Sequence, residues 1–197
     1  TLKAIKKAVP AASALTQSRT TAVYLGNNTA LATTRHGLKL YLDTRDLSLA
    51  PHIIMDGNWE AWITDAILSL LRPGMKVIEV GANIGWFTTL IGREIGNTGG
   101  LTAYEANPHL AELAFRNVHV NGLKERVNVV AKAVTDKPGS ITLNVFERYL
   151  GSSSIFAVAE TATAFHDTLT PITVPTLTLD AAHTVGRVDL IKIDAEG

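Results

Sequence analysis

The fold is decided by residues 76–88, which read Lys-Val-Ile-Glu-Val-Gly-Ala-Asn-Ile-Gly-Trp-Phe-Thr. A short apolar strand carrying an acid is followed by two glycines four residues apart and by the start of an amphipathic helix. This order is typical of an α/β sheet that binds an adenosyl ligand at the carboxyl end of its first strand. Glycine adopts a positive φ angle at no steric cost, so Gly81 and Gly85 permit a tight turn or a close contact that a Cβ atom would obstruct.

The glycine spacing also selects among adenosyl ligands. The dinucleotide fingerprint, Gly-x-Gly-x-x-Gly counted from Gly81, fails because Asn83 and Trp86 occupy its later positions. A pyrophosphate binds free amides at a helix N-terminus, and Glu79 would place a carboxylate close to it. S-adenosylmethionine (SAM) carries a sulfonium and an ammonium and no phosphate, so an acid suits it better. The motif therefore predicts SAM, and the alternative is a buried strand-turn-helix without a ligand.

Strands and helices alternate beyond this motif. The pattern predicts strands over 77–80, 101–104, 127–131 and 189–193, and helices over 86–95 and 107–121. The second helix is predicted to begin with Asn107 as its N-cap and Pro108 at its first helical position. A β segment over 172–179 contains Pro175, which predicts an edge or a bulge. Short connections between alternating elements predict a doubly wound, mostly parallel α/β sheet of the Rossmann-like kind.

The residues before this core predict a preamble. Residues 22–44 favour a β-hairpin or meander and residues 60–71 a helix. We predict a β/helix preamble over 1–54 that packs on a ligand-binding domain over 55–197. Residues 1–14 favour a frayed surface helix over a secretion signal, because Pro10 interrupts a weak apolar stretch.

Composition excludes several classes of protein. The 18 Lys and Arg residues balance 18 Asp and Glu residues, so no basic footprint for nucleic acid is present. No apolar run reaches the roughly 18 residues of a membrane span. The absence of cysteine excludes a disulfide scaffold and thiolate metal sites, and it fits a cytoplasmic location.

Three acids are predicted at the carboxyl ends of parallel strands, namely Glu79, Glu105 and Asp194. Such strand ends meet at one rim of the sheet, so the three carboxylates are expected to converge. Glu105 lies 20 residues after Gly85, where an acid commonly accepts two hydrogen bonds from ribose hydroxyls. The alternative is a surface acid that the dipole of the following helix stabilises.

Four motifs resemble the FkbM family of SAM-dependent methyltransferases, which has the class I Rossmann-like fold. In order, they are Val-Ile-Glu-Val-Gly-Ala-Asn-Ile-Gly-Trp-Phe-Thr, Tyr-Glu-Ala-Asn-Pro, Gly-Ser-Ser-Ser-Ile and Val-Asp-Leu-Ile-Lys-Ile-Asp-Ala-Glu-Gly. The resemblance covers residues 55–197. It implies O-methylation of a hydroxyl on a polyketide, sugar, glycan or lipid-like acceptor.

The resemblance also implies which residues hold the cofactor. The methionine part of SAM would lie against the turn formed by Glu79, Gly81, Ala82, Asn83 and Gly85. The ribose and adenine would lie against Glu105, Ala106 and Asn107, with Lys132 and Ala133 beside the adenine. Trp86 and Phe87 either pack on the ligand or belong to the core.

A hydroxyl acceptor must lose a proton, which requires a base within about 3 Å. Asp194 and Glu196 are the candidate catalytic residues, because strand alternation puts them on one side of the rim. Glu196 could instead begin a following helix as a favourable acid. Asp194 could orient SAM or, with Glu196 and a histidine, hold Mg²⁺, although the spacing requires no metal.

Other residues are candidates on the acceptor side. His36 and His166 are loop candidates for acceptor binding or for a base, the alternative being a surface role. Residues 152–154, Ser-Ser-Ser, form either a flexible loop or an acceptor contact. Trp59 and Glu60 either cover the SAM pocket or only cap and pack.

The sequence stops at Gly197, directly after the fourth predicted core strand. We therefore expect that further C-terminal strands of the fold are missing, and that a longer chain, another chain or a homodimer covers the last strand. Two rival functions stay open. One is a SAM-binding but inactive or truncated scaffold module, and the other, which the glycine spacing disfavours, is an NAD-dependent oxidoreductase.

Overall fold

The computed structural model describes residues 21–156, 159–183 and 186–196. The helix predicted within residues 1–14 lies outside this part of the chain, as does Gly197. Within it, the strands form an antiparallel meander, a four-stranded parallel sheet and a small mixed sheet. The predicted fold class is confirmed.

The meander consists of β1 (Thr21–Gly26), β2 (Thr29–Thr33) and β3 (Lys39–Asp43). Helices α1 (Ala50–Asp56) and α2 (Ala61–Leu70) follow it, so the preamble boundary proposed at residue 54 falls inside α1. The side chains of Leu40, Leu42 and Ile53 are fully buried in the same core as the parallel sheet. The meander and α1 are thus packed on the core of the parallel sheet.

The parallel sheet has the strand order β10-β4-β5-β6. Its strands are β4 (Lys76–Val80), β5 (Gly100–Tyr104), β6 (Val127–Val130) and β10 (Leu190–Ile193). Every residue of β4 except Lys76 is buried, because β4 lies between two neighbouring strands and under helices. The carboxyl ends of β4, β5 and β10 therefore lie side by side.

Two helices cover one face of this sheet. Helix α3 (Trp86–Glu94) begins directly after Gly85, and α4 (Pro108–Val120) begins after Asn107. The Asn107 side chain accepts a hydrogen bond from the His109 amide at 3.0 Å, as the sequence predicts for a helix N-cap. Because both helices start at strand ends, their N-termini lie at the rim where the predicted site residues converge.

The mixed sheet has the order β7-β9-β8 and was not anticipated as a separate unit. Its strands are β7 (Ala133–Val134), β8 (Gly139–Phe146) and β9 (Leu169–Leu177), and helices α5 (Ala159–Phe165) and α6 (Leu179–Ala182) flank β9. The strand containing Pro175 is the middle strand, which corrects a simple edge assignment. Proline is accommodated because β7 pairs only with residues 176 and 177, so the side of β9 opposite β8 carries no strand at Pro175.

The serine-rich stretch also has defined structure. A 3₁₀ helix spans Leu150–Ser152, and the Ser153 hydroxyl donates to the Leu150 carbonyl at 2.8 Å. Ser154 pairs with Asn144 of β8 through two backbone hydrogen bonds of 3.1 Å. The sequence analysis gave a flexible loop as one of two alternatives for this stretch. The contacts show instead that it is held against the mixed sheet.

Candidate functional site

The turn after β4 is anchored to the end of β5. The amides of Gly81 and Ala82 donate to the Tyr104 carbonyl at 2.9 and 3.0 Å. Gly81 has a φ of 82°, and a Cβ atom there would lie 1.8 Å from the Asp194 carbonyl oxygen. The close approach that requires glycine is therefore made by the backbone at the end of β10.

Gly85 has a different role from Gly81. Its φ of 88° forms the left-handed start of α3, and a Cβ atom would lie 3.2 Å from the Cα atom of Ala114 in α4. Asn83, in the same turn, is also left-handed, with a φ of 50°. Gly85 thus packs two helices together and lies behind the cavity described below.

Glu105 links two turns through both of its carboxylate oxygens. Its Oε2 accepts from the Asn83 amide at 2.7 Å, and its Oε1 accepts from the Asn107 amide at 2.9 Å. A carboxylate has about four acceptor positions, so Glu105 retains acceptor capacity for a hydroxyl donor beside its backbone amide partners. Burial raises the pKa of Glu105, although the amide hydrogen bonds favour its ionised form. The arrangement fits a ribose hydroxyl.

A cavity of about 320 Å³ opens at this rim, within the range of small-molecule sites. Most of the predicted cofactor and catalytic residues line it: Gly81, Ala82, Asn83, Trp86, Phe87, Glu105, Ala106, Lys132, Ala133, Asp194 and Glu196. Trp59, Glu60, Ser152 and Ser153 line it too. The structure thus brings together residues from six separate stretches of the sequence.

Three of the predicted cofactor residues do not line the cavity. Glu79 is fully buried within β4, Gly85 lies against α4, and Asn107 is 2% exposed as the cap of α4. The Asn107 Nδ2 atom is buried without a hydrogen-bond partner. These residues support the lining from behind.

Histidines 36 and 166, the loop candidates for acceptor binding or for a base, do not line the cavity either. Burial, followed by the charge of Arg93, lowers the pKa of His36.

Trp86 and Phe87 combine the two roles that the sequence left open. They are 2% and 5% exposed and belong to the main core, yet both line the cavity. The Trp86 indole donates from Nε1 to the Thr64 hydroxyl at 3.0 Å. This bond ties α2 to α3 and holds the residues before α2, Trp59 and Glu60, at the cavity wall.

Lys192 is a cavity residue to which the sequence analysis gave no role. It lies in register with Glu79 in the neighbouring strand, and its Nζ atom is 3.6 Å from Glu79 Oε1 and 3.3 Å from Asp194 Oδ2. The alternation of residues 192 and 194 on one side of β10 is the signal that could have found it. Lys192 therefore joins the buried acid of β4 to the acid at the rim.

Glu79 couples this ion pair to pH. Burial raises its pKa to about 7 from 4.5, so between these pH values the native state binds more protons than the unfolded chain and the free energy of unfolding falls as pH rises. We expect Glu79 to contribute a loss of about 3 kcal/mol between about pH 4.5 and pH 8. In Glu79→Gln this part of the pH dependence should disappear, because glutamine does not ionise. The variant should keep the local structure, since the amide oxygen can still accept the 2.6 Å hydrogen bond from Thr88.

Urea unfolding of both proteins across this pH range measures the effect. Burial also raises the pKa of Glu105, so this residue contributes to the pH dependence of both proteins. The difference between the two curves therefore reports Glu79 alone. Parallel curves for the two proteins would show that Glu79 does not titrate in this window.

The rim facing Lys192 is acidic. Burial, and then the charge of Asp194, raise the pKa of Glu60, whose backbone is left-handed with a φ of 42°. The Asp194 amide donates to the Val80 carbonyl at 3.0 Å, and its side chain is 64% exposed. Within the described residues, no group of three or more His, Cys, Asp or Glu side chains is arranged to hold a metal ion.

A profile of the methyltransferase FkbM domain matches residues 79–197, which is more than half of the chain. The chain belongs to the FkbM methyltransferase family. The cofactor of this FkbM domain is SAM, and Glu105 with the turn at 81–83 offers the hydroxyl acceptors and close backbone that a nucleoside requires. The family excludes the rival reading as an NAD-dependent oxidoreductase.

Curated relatives of the FkbM domain are matched only over short stretches. The tRNA (adenine(58)-N(1))-methyltransferase TrmI of Thermus thermophilus is 44% identical over 48 residues, which is 24% of this chain and 19% of that protein. Protein-L-isoaspartate O-methyltransferase of Hyperthermus butylicus is 36% identical over 67 residues, covering 30% of this chain and 28% of that protein. The chain thus spans under a third of the length of either relative.

Solved structures give a similar picture. TYW2 of P. horikoshii in complex with MeSAdo shares 20% sequence identity with this chain at a TM-score of 0.45, over 59% of this chain and 40% of that chain.

In the described part of the FkbM protein, every helix is too short or too polar to cross a membrane.

Proposed function

We propose that the chain is a SAM-dependent O-methyltransferase that acts on a hydroxyl of a small-molecule or glycan acceptor, such as a polyketide, sugar, glycan or lipid-like compound. The observation that carries the proposal is the single cavity that joins Glu105, the turn at 81–83 and Asp194 at neighbouring strand ends. A nucleoside anchor and a candidate base thereby face one small volume.

The cofactor is proposed to lie with its ribose on Glu105 and its adenine beside Ala106, Lys132 and Ala133. Its methionine part then follows the turn at 81–83 towards Asp194. When bound, SAM supplies an electrophilic methyl group on a sulfonium. The protein contributes position and the exclusion of water, because Trp86 and Phe87 form an apolar wall.

Asp194 is proposed to accept the proton that the acceptor hydroxyl loses, with Glu196 as the second candidate. Both line the cavity, and the Asp194 backbone is fixed by its hydrogen bond to Val80. Lys192 Nζ lies 3.3 Å from Asp194 Oδ2, so the candidate base is paired with a cation at the edge of the cavity.

The charge of the rim supports a hydroxyl acceptor over an anionic one. Glu60, Asp194 and Glu196 line the cavity and would repel a phosphate or carboxylate acceptor placed beside them, whereas Lys132 and Lys192 lie on the proposed cofactor side. The chain has a formal net charge of zero, so long-range attraction does not favour nucleic acid. A cytoplasmic location and a homodimer stay predictions from the sequence.

Asp194→Asn tests the proposed base. We expect the rate of methyl transfer to fall by roughly 10²- to 10⁴-fold, because an amide cannot accept the proton. Binding of S-adenosylhomocysteine should persist because the ribose site at Glu105 is untouched, although it should weaken because Asp194 contacts Lys192. The measurement is transfer of labelled methyl from SAM to a panel of hydroxylated acceptors, with calorimetry for binding.

Glu196→Gln and Asp180→Asn are the matched variants. Glu196→Gln asks whether the second acid is the base, and Asp180 lies outside the cavity, in α6. Full turnover by Asp194→Asn would refute the assignment of this base. Tight cofactor binding without transfer to any acceptor would favour the rival function, a SAM-binding module without activity.

A further inference from the structure

Lys192 is a nearly buried cation in the wall of the cavity. Its side chain is 11% exposed, and Nζ lies 3.4 Å from the Gly81 carbonyl oxygen and 4.6 Å from the centre of the Phe87 ring. Glu79 lies behind it and Asp194 beside it. These neighbours fix the position of the ammonium against the glycine turn.

The donors of this ammonium are not saturated by the protein. Charge-assisted N–H···O hydrogen bonds are typically about 2.7–2.9 Å long, whereas the contacts to Glu79, Asp194 and Gly81 measure 3.6, 3.3 and 3.4 Å. Glu79 Oε1 correspondingly has no hydrogen-bond partner. An ammonium has three donors, so Lys192 retains hydrogen-bonding capacity, and its side chain forms part of the cavity wall.

Stability alone is a poor reason for this arrangement. Removing two charges from water often costs as much as their attraction returns, and the geometry here lacks the short hydrogen bonds that would offset the cost. A ligand anion at the open side of the ammonium would complete its coordination.

The position of Lys192 indicates which anion this is. Only two lysines and no arginine line the cavity among the described residues. Lys132 follows β6 beside Ala133, at the proposed adenine end, whereas Lys192 lies against Gly81 at the proposed methionine end. The anionic group that SAM presents at the methionine end is its carboxylate.

We infer that Lys192 binds the carboxylate of the methionine part of SAM and thereby selects the cofactor by its amino-acid end. This inference rests on the proposed placement of SAM along the turn at 81–83. Glu79 and Asp194 hold the ammonium in position, and the acidic rim balances the two cationic groups of the cofactor. Lys192 is thus a cofactor-selecting residue.

The test compares SAM with decarboxylated SAM, which keeps the sulfonium and the ammonium and lacks only the carboxylate. Calorimetry on the wild-type chain should show a preference for SAM of roughly tenfold to a hundredfold, the range of a charge-assisted hydrogen bond. Lys192→Met should reduce this preference to within about twofold by weakening SAM alone. Lys192→Arg should restore part of it, and Lys132→Met should leave it intact.

Lys192→Met leaves Glu79 buried without its cation, so the double variant Glu79→Gln, Lys192→Met is measured as well. Loss of the preference in either folded variant supports the inference. Equal weakening of both ligands, or a wild-type chain that does not distinguish them, overturns it and leaves the proposed function standing. Failure of the wild-type chain to bind either ligand would refute the proposed cofactor placement itself.

Discussion

Glu105→Ala is expected to raise the dissociation constant for S-adenosylhomocysteine at least about a hundredfold. A hydrogen bond from a ribose hydroxyl to a buried carboxylate contributes about 1.5–3 kcal/mol. The substitution also leaves the Asn83 and Asn107 amides without their acceptor, which loosens the turn on which the cofactor lies. Isothermal titration calorimetry measures the change.

Two variants make this result specific. Glu105→Gln keeps the shape but presents an amide group to one of the two backbone amides, so an intermediate loss is expected. Glu112→Ala alters an exposed residue of α4 and should bind like wild type. An unchanged affinity in Glu105→Ala would contradict the proposed ribose site.

Gly81→Ala is expected to destabilise the protein by more than about 4 kcal/mol, which lowers the melting temperature by roughly 10 °C for a chain of this size. The added Cβ would lie 1.8 Å from the Asp194 carbonyl oxygen and 2.8 Å from its carbon, both in the backbone. The end of β10 must then move away from the turn, because no flexible side chain can yield. Thermal and urea unfolding followed by circular dichroism measure the loss.

Gly122→Ala is the matched control for conformational strain alone. Gly122 has a φ of 68°, and a Cβ atom there would meet nothing within 4 Å. Its substitution should cost only about 1–2 kcal/mol for the left-handed backbone. If both alanine variants lose the same stability, the contact with Asp194 is not what requires glycine at position 81.

The sequence predicted the parallel sheet because apolar strands, glycine turns and helix caps are local signals. Asn107 illustrates this, since its place before Pro108 predicts the N-cap that is present. The position of Glu105 at a strand end was equally readable. The short strand β7 was not, because two residues carry no periodicity.

The role of Lys192 could not be read in the same way. In the sequence it is a polar residue in a short strand, and only the pairing of β10 with β4 places it beside Glu79, 113 positions earlier. The reason for glycine at position 81 could not be read from the sequence either. The Asp194 backbone that approaches Gly81 is equally distant along the chain. Contacts between distant strands thus determine the details of the site that local patterns leave open.

Asn117 gives the meander a part in the behaviour of the cofactor turn. Its fully buried amide accepts from the Tyr41 amide at 2.6 Å and donates to the carbonyls of Tyr41 and Ile84 at 3.1 and 2.7 Å. One side chain in α4 therefore forms hydrogen bonds both to β3 and to the turn that follows Gly81. A nucleoside bound against this turn would therefore restrict the motion of β3 as well, so the meander is a structural support of the cofactor turn.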